Sequence, residues 1–401
     1  MSNGELQYLW VAIGLLLGFG TLPGTVELLL LTLGGLLPLR RPPAPEGETP
    51  LRVVAVVPAH NEEKGIGHCV ASLRACRGSD RAFAVVVVAD NCTDATAAEA
   101  ARAGARVLVR RDENLRGKGY ALDFAFRQLL AEDPEVLLVV DADSSVDIEL
   151  LDEVRRHFAA GADALQVAYR VANPQASVRT RLMNVALLAF NVLRPRGRHA
   201  LGLSAGILGN GFALSRETLI SVPYEASSVV EDLEYHLRLI RAGRRVRFAP
   251  QVAVWGEMPA GGSGARTQRA RWEGGRLRLL AEAGPRLAVG LLRGEFRFLE
   301  PLLDLLLLPL AFHVLGLLAM LALPLDTART VAGVGLAVVG LHIVVAVWKG
   351  GGGWRDLAVL AVAPAYILWK AALVPVLFRT ARKDAAWVRT ERSTEGERRE
   401  P

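Results

Sequence analysis

The sequence predicts a doubly wound, mainly parallel α/β sheet with transmembrane helices at both ends of the chain. Three observations lead there. Between about Leu51 and Met258, strand-like apolar runs alternate with helix-like stretches. Every one of those runs ends in polar residues, as the strands of an open sheet do where they meet a ligand crevice. Apolar stretches long enough to cross a bilayer flank this region on both sides. Composition agrees: of 401 residues, 51% are hydrophobic, too many for an ordinary soluble protein, and 22% are charged, too many for a wholly buried one. The net charge of +6, carried mostly by arginine, suits contact with phosphates of lipids or of a nucleotide. Nucleic acid is not an expected partner, because no aromatic residues alternate with the basic ones. Cys69, Cys76 and Cys92 lack zinc-type spacing and read as reduced, small hydrophobes.

The first apolar stretch, Tyr8 to about Leu37, carries Glu27 as its only charge. No small-residue cleavage site follows it, so 1–41 reads as an anchor and not as a removable signal. Arg40 and Arg41 come directly after, which by the positive-inside rule puts the N-terminus outside and the next domain in the cytosol. Arg40 to Pro50 is a linker, and 51–258 is the expected soluble domain.

The strand–helix pairs of that domain read in order as Arg52 to Val57 with Glu62 to Ala75, Phe83 to Ala89 with Thr93 to Ala103, Arg106 to Val109 with Tyr120 to Leu130, and Val136 to Val140 with Asp147 to Phe158. About 200 residues can bury a full core. The fourth run, which is uncharged, stops at Asp141-Ala142-Asp143. On an extended backbone these two carboxylates leave on the same side, roughly 6 to 7 Å apart. That spacing suits one carboxylate on a hard cation, Mg²⁺ or Mn²⁺, and its neighbour on a ribose or a second metal position. Alone, Asp90-Asn91-Cys92-Thr93-Asp94 reads as a turn with a helix cap. Gly117-Lys118-Gly119, before a helix, brings a lysine and backbone N–H groups toward a diphosphate, although no P-loop and no G-x-G-x-x-G spacing is present.

Leu233, Leu237 and Ile240 make a helical pattern stopped by Gly243, which places Glu231 and Asp232 at a helix N-terminus. That position favours the ionised carboxylate a general base needs, and Asp232 is the candidate base. The glycine-rich stretch Gly256 to Gly264 reads equally as a hinge or lid and as a plain linker to the membrane part. Beyond it, Gln268, Arg271 and Trp272 share one helix face, where Arg271 could take a diphosphate and Trp272 could stack on a sugar. Leu277 to Phe298, broken by proline and glycines, reads as short amphipathic helices in the membrane interface, so that 259–298 joins lid to membrane. Within 299–378, three stretches are long enough to cross: Leu299 to Leu325, Val331 to Trp348 and Leu357 to Phe378. Asp304, His313 and Lys370 lie in or near them, as pathway residues or as snorkelling side chains. The tail, 379–401, is charged and expected to be disordered. Three crossings would put Arg379, Arg382 and Lys383 outside, so either one stretch is re-entrant or the charge rule is violated.

Pro58 to Glu63, Asp90, Gly117 to Gly119, Asp141-Ala142-Asp143, Glu231-Asp232 and Gln268 to Trp272 resemble, in that order, the motifs of inverting family 2 glycosyltransferases of the GT-A fold. The membrane-embedded members are the nearest in layout: cellulose, chitin, hyaluronan and poly-N-acetylglucosamine synthases, and the ceramide glucosyltransferases. The resemblance implies that Pro58, Ala59 and Glu62 line a uridine pocket, that Asp90 accepts from the base, and that Lys118 approaches the nucleotide or its phosphates. It implies that Asp141 and Asp143 hold ribose and a Mg²⁺ or Mn²⁺ ion on the diphosphate, and that Gly209-Asn210-Gly211-Phe212 lies where acceptor binds. Glu231, Gln268, Arg271 and Trp272 would complete the acceptor and diphosphate side. His60 stands where an aromatic is common, and Asn91 where a second acid is often found. The expectation is therefore an integral membrane glycosyltransferase with a cytosolic catalytic domain, moving sugar from a nucleotide-sugar donor, UDP-linked, to a growing glycan. Transfer of a single sugar to a membrane lipid is the alternative. A nucleotidyltransferase and a non-enzymatic membrane scaffold are the remoter readings.

Overall fold

Four strands form on runs rich in valine and leucine: β1 (Val53–Ala59), β2 (Phe83–Asp90), β3 (Arg106–Arg110), which is the exposed edge, and β4 (Val136–Val139), which is wholly buried. The computed structural model describes residues 3–44, 50–225, 230–258 and 264–371; for residue 3 and for 264–273 and 368–371 it describes the backbone alone. Four further strands, β5 (Ser144–Val146), β6 (Ala164–Val171), β7 (Phe212–Ser215) and β8 (Val246–Gly256), complete one eight-stranded sheet of order β3-β2-β1-β4-β7-β6-β8-β5. The first four are mutually parallel, as are β6 and β8. By contrast, β7 runs antiparallel between β4 and β6, and β5 antiparallel beside β8. The sheet is thus mixed. β5 and β7, three and four residues long and polar at one end, carry too short a pattern to be read from sequence, whereas β6 and β8 are longer and fall outside the strand–helix pairs read above.

The chain forms two compact units. The sheet unit comprises Pro38–Thr180 and Arg198–Ala260; the helical unit comprises Met1–Leu37, Arg181–Gly197 and Gly261–Pro401, so far as these are described. In the sheet unit, Val57, Val87, Leu138 and Val140 bury against Ile66, Val70 and Leu150 of the helices Ile66–Arg74 and Leu150–Ala159. Register fixes the crevice: Ala59 pairs with Ala89 and Asp90 with Arg110, so β1, β2 and β3 end close together, while β4 stops at Val139 opposite Val56 and leaves the space beyond it to the Asp141 turn. A buried Glu153 accepts two hydrogen bonds from Arg41, at 2.5 and 2.9 Å, and neighbours Arg156 and His157. Its contact with His157 and its hydrogen bonds from Arg41 outweigh burial and hold its carboxyl down at about 2.

The helical unit is built on Asn3–Leu36, whose Leu28 buries with Leu307, Leu317, Val338 and Val339. Among the described residues, two helices are long and apolar enough to cross a membrane: Gly4–Leu36, 33 residues of mean hydropathy 1.7, and Asp326–Lys349, 24 residues of mean hydropathy 2.3. The stretch expected to cross as Leu299 to Leu325 is instead two helices, Leu299–Leu306 and Leu310–Leu321, and the apolar segments around the break bend by 78°. Pro309 explains the break: it offers no N–H and keeps the residue before it out of the helical region. The third expected crossing is also interrupted, with Trp354–Ala358, a 3₁₀ turn and then Ala363–Ala371, where Pro364 opens a new first turn. Its remainder and the tail lie outside the described residues. Leu277 to Phe298 is corrected in the opposite sense. Pro285 sits inside one continuous helix, Gly264–Leu292, which buries Leu279, Ala283 and Leu287. Packing of that face offsets the backbone bond that proline removes.

Glu27, Arg194 and Asp304 are all buried in the helical unit. Arg194, which follows a π-helical turn at Leu188–Leu193, pairs with Glu27 at 3.2 Å and also with Asp304. Arg276 reaches Asp304 at 3.4 Å, and Glu300 shares the cluster. Thr25 bonds His313 at 3.2 Å and Thr32 bonds His342 at 2.7 Å. Asp304 and His313 are therefore enclosed by protein and do not snorkel; the side chain of Lys370 lies outside the described residues.

Candidate active site

At the end of β4 the chain turns through Asp141-Ala142-Asp143 into β5, closed by the Ser144 N–H donating to the Asp141 carbonyl at 3.0 Å. Asn210 pins that turn from across the sheet. Its Oδ1 accepts from the Asp141 N–H at 3.1 Å, and its Nδ2 donates to Ser144 Oγ at 2.8 Å. Gln166, fully buried on β6, in turn holds the Asn210 loop: its amide donates to the carbonyls of Asn210 at 2.7 Å and Gly211 at 3.1 Å, and its oxygen accepts from Leu208 N–H at 2.9 Å. A buried amide satisfied on both ends fixes one loop geometry.

Both glycines of this loop are required. Gly209 and Gly211 have φ of +78° and +68°, a region other residues enter at a cost. A methyl group on Gly211 would stand 2.7 Å from Val254, and one on Gly209 would stand 3.2 Å from the Asp232 carboxylate. Asp232 thus lies directly against the loop that pins Asp141.

Lys118, the first residue of the helix Lys118–Leu129, joins these parts. Its Nζ donates to the Asp141 carboxylate and, at 2.6 Å, to the Gly209 carbonyl. Glu231 and Asp232, in the first turn of the helix Glu231–Arg241, also act on it electrostatically. Burial works to lower the pKa of this ammonium, but Asp141, Glu231 and Asp232 outweigh burial and hold it above the usual lysine value. Asp232 shifts the other way from what its helix N-terminus suggests. Burial pushes its carboxyl above the usual range, assisted by Asp141, while the Leu233 N–H at 2.8 Å and Lys118 oppose the rise. Within the sheet unit, carboxylates from two segments ninety residues apart in sequence therefore converge on one cation. Asp143, half-buried, sits on the same turn as Asp141.

The opposite wall is made by β1, β2 and β3. Pro58 and Ala59 end β1, and the backbone N–H of Glu62 donates to Thr96 Oγ1 at 2.8 Å. Asp90 is buried, accepting from Arg110 at 2.7 Å and from Asn91 at 3.1 Å. Burial raises its pKa and Arg110 resists. The two departures from the family pattern have structural work here. His60 donates to the Asp90 carbonyl at 2.7 Å, and Asn91, at φ 50°, exchanges bonds of 2.8 and 3.0 Å with the backbone of Asp112. Gln268, Arg271 and Trp272 lie on the helix Gly264–Leu292, but their side chains are outside the described residues, as are residues 259–263 of the expected lid.

Three residues were not singled out from sequence: Gln166, Ser144 and Tyr224. An amide inside the apolar run of β6 is a signal that could have found Gln166. Tyr224 packs on Phe126 and Tyr235 at centroid distances of 5.4 and 4.6 Å. Burial, followed by the charges of Glu231, Asp232 and Asp141, raises its hydroxyl well above the tyrosine value, so it stays neutral beside them. Burial likewise raises all three thiols, which favours their protonated form.

Comparison with known proteins identifies the family and the fold. A family model described as "Glycosyltransferase like family 2" matches residues 50–275, more than half of the chain. The chain is 25% identical over 239 residues to "Probable glycosyltransferase YdaM" of Bacillus subtilis (strain 168), covering 56% of this chain and 55% of that protein. It is 29% identical over 271 residues to the Beta-monoglucosyldiacylglycerol synthase of Synechocystis sp. (strain ATCC 27184 / PCC 6803 / Kazusa), covering 65% and 56%. The chain thus spans about half the length of these curated relatives. Among solved structures it resembles the mannosyltransferase PcManGT from Pyrobaculum calidifontis, solved with GDP-Man and Mn²⁺, at a TM-score of 0.56 and 20% identity, covering 90% of this chain and 99% of that one. On the match over 50–275 and the shared fold, the chain belongs to glycosyltransferase family 2.

Proposed function

We propose that the chain is a membrane-integral, metal-dependent inverting glycosyltransferase that moves one sugar from a UDP-linked donor to a lipid acceptor at the cytosolic membrane face. The observation that carries it is the meeting of Asp141, Asp232 and Glu231 around Lys118, beside the turn that bears Asp143. Asp232 is the base. It takes the proton of the acceptor hydroxyl as that oxygen bonds to the anomeric carbon; the bond from that carbon to phosphate breaks on the far side, and nucleoside diphosphate leaves. A carboxyl held above its ordinary pKa is the stronger base, and such proton transfer contributes about 10²- to 10⁴-fold. Asp141 and Asp143 offer hard oxygen donors two residues apart, a set that fits Mg²⁺ or Mn²⁺ completed by substrate phosphate. When bound, the cation takes up charge developing on the leaving diphosphate. Asp90, Pro58, Ala59 and Glu62 form the nucleotide side, and Lys118 meets the phosphates.

Two observations support a lipid acceptor. One of the relatives is a glycolipid synthase. Among the described residues, moreover, only two helices, or three spans if the bent pair is one, could cross a membrane, a thin wall for a polymer channel. Chain extension is the second reading, favoured by the Gln268-to-Trp272 stretch that processive members of the family carry. The test is to supply the full chain in lipid vesicles with Mn²⁺ and radiolabelled UDP- and GDP-sugars, then to separate products by thin-layer chromatography and electrophoresis. One mobile glycolipid, with stoichiometric nucleoside diphosphate, is expected. A ladder of products replaces this reading with polymerisation, and pyrophosphate release overturns both.

A further inference from the structure

Lys118 is an unusual neighbour for a cation-binding carboxylate. Its ammonium lies on Asp141, the same group that would hold the divalent ion, and its second bond, 2.6 Å to the Gly209 carbonyl, keeps it there. Glu231 and Asp232 add negative charge around it, and the side chain is 26% exposed, open enough to move. A divalent cation arriving at Asp141 alone would meet a like charge at contact distance. Lysine suits a removable occupant: a point charge on a flexible four-carbon stem, where arginine would bind in a fixed fork. The helix that begins at Lys118 follows Gly117, at φ +130°, so the residue sits where backbone N–H groups also face an incoming phosphate.

We propose that Lys118 guards the divalent-cation position: it neutralises Asp141 until a nucleotide diphosphate draws it away, so that cation and donor enter as a coupled pair. The proposal rests on the reading of Asp141 and Asp143 as cation ligands. It explains why a site this acidic need not collect metal before donor is present. By linkage, UDP must tighten Mn²⁺ by the same factor as Mn²⁺ tightens UDP.

The test measures binding, not turnover. Free Mn²⁺ is followed by electron paramagnetic resonance as it is titrated into the full chain, with and without UDP. The wild type is expected to bind Mn²⁺ weakly alone and at least tenfold more tightly with UDP. Lys118→Met should bind Mn²⁺ alone at least tenfold more tightly than wild type and should lose most of the coupling. Lys118→Arg, which keeps the charge, should bind Mn²⁺ alone as weakly as wild type, and it serves if the methionine variant does not fold. Equal or weaker binding of Mn²⁺ alone by Lys118→Met, or tight binding by Lys118→Arg, overturns the guard while leaving the cation reading intact. Absence of Mn²⁺ uptake by wild type even with UDP, or uptake unchanged in Asp143→Asn, overturns the cation reading and the guard with it.

Discussion

The sheet unit and the helical unit each gather opposite charges, and they do so in opposite ways. In the sheet unit, Lys118 and Asp141 are 26% and 31% exposed, at the open ends of strands, where a ligand can exchange with either. In the helical unit, the side chains of Glu27, Arg194 and Asp304 are 2%, 6% and 10% exposed and pair with one another between apolar helices, with Arg276 as a second cation on Asp304. The first arrangement leaves charge available for chemistry at a cost in fold stability. The second spends it on holding helices together, because a lone charge there would be far costlier than a closed set.

This contrast can be broken by mutation. Asp232→Asn should lower turnover by about 10²- to 10⁴-fold, the span of a lost general base, while the thermal midpoint in detergent stays near wild type. In the wild type, turnover should fall as pH drops through a value above the ordinary carboxylate range, because burial raises the Asp232 pKa and only the ionised form accepts a proton. A large fall in the midpoint of Asp232→Asn would mean that the open site is a staple after all.

Arg194→Met should do the reverse, destabilising the helical unit by about 3 to 5 kcal/mol by stranding Glu27 and leaving Asp304 to Arg276. A Glu27→Gln, Arg194→Met, Asp304→Asn triple variant should recover most of that loss, as read by thermal unfolding of both in the same detergent. A single variant as stable as wild type would show that the network contributes nothing.

Glu153 sharpens the comparison, since it is a sealed charge inside the sheet unit. Glu153→Gln should cost about 2 kcal/mol at neutral pH, less than the full shift implies because Arg41 is half exposed. The sign follows from its depressed pKa of about 2: the contribution is complete above the unfolded value near 4.5 and is lost as pH falls toward 2. Unfolding curves of the two proteins should therefore converge on acidification, with activity per folded molecule unchanged throughout. A gap that widened at low pH would contradict the assignment.

Much of the site could be read without coordinates because its residues sit at abrupt changes of pattern. Asp141 ends an uncharged run, Asp232 opens an amphipathic helix that Gly243 stops at φ +72°, and Lys118 stands between glycines. Gln166 and Tyr224 differ in this respect. An amide in an apolar run marks Gln166 without naming its partners, whereas a buried tyrosine looks like an ordinary loop residue until the groups it faces are known. Proline misled in one place and informed in another: Pro285 was tolerated inside a packed helix, whereas Pro309 broke one at a 78° bend.

The sequence by itself determined the parallel half of the sheet, the apolar anchor and the identity of the acidic residues, since each depends on local periodicity and on residue chemistry. Only the tertiary structure decided that β7 runs antiparallel, that Asn210 pins the Asp141 turn, that Lys118 lies on Asp141, and that Glu27 meets Arg194 and Asp304. Those contacts join residues from about 20 to about 280 positions apart. Their free energy comes from hydrogen bonds and charge pairing that offset the cost of taking these groups out of water, between residues that no local pattern ties together.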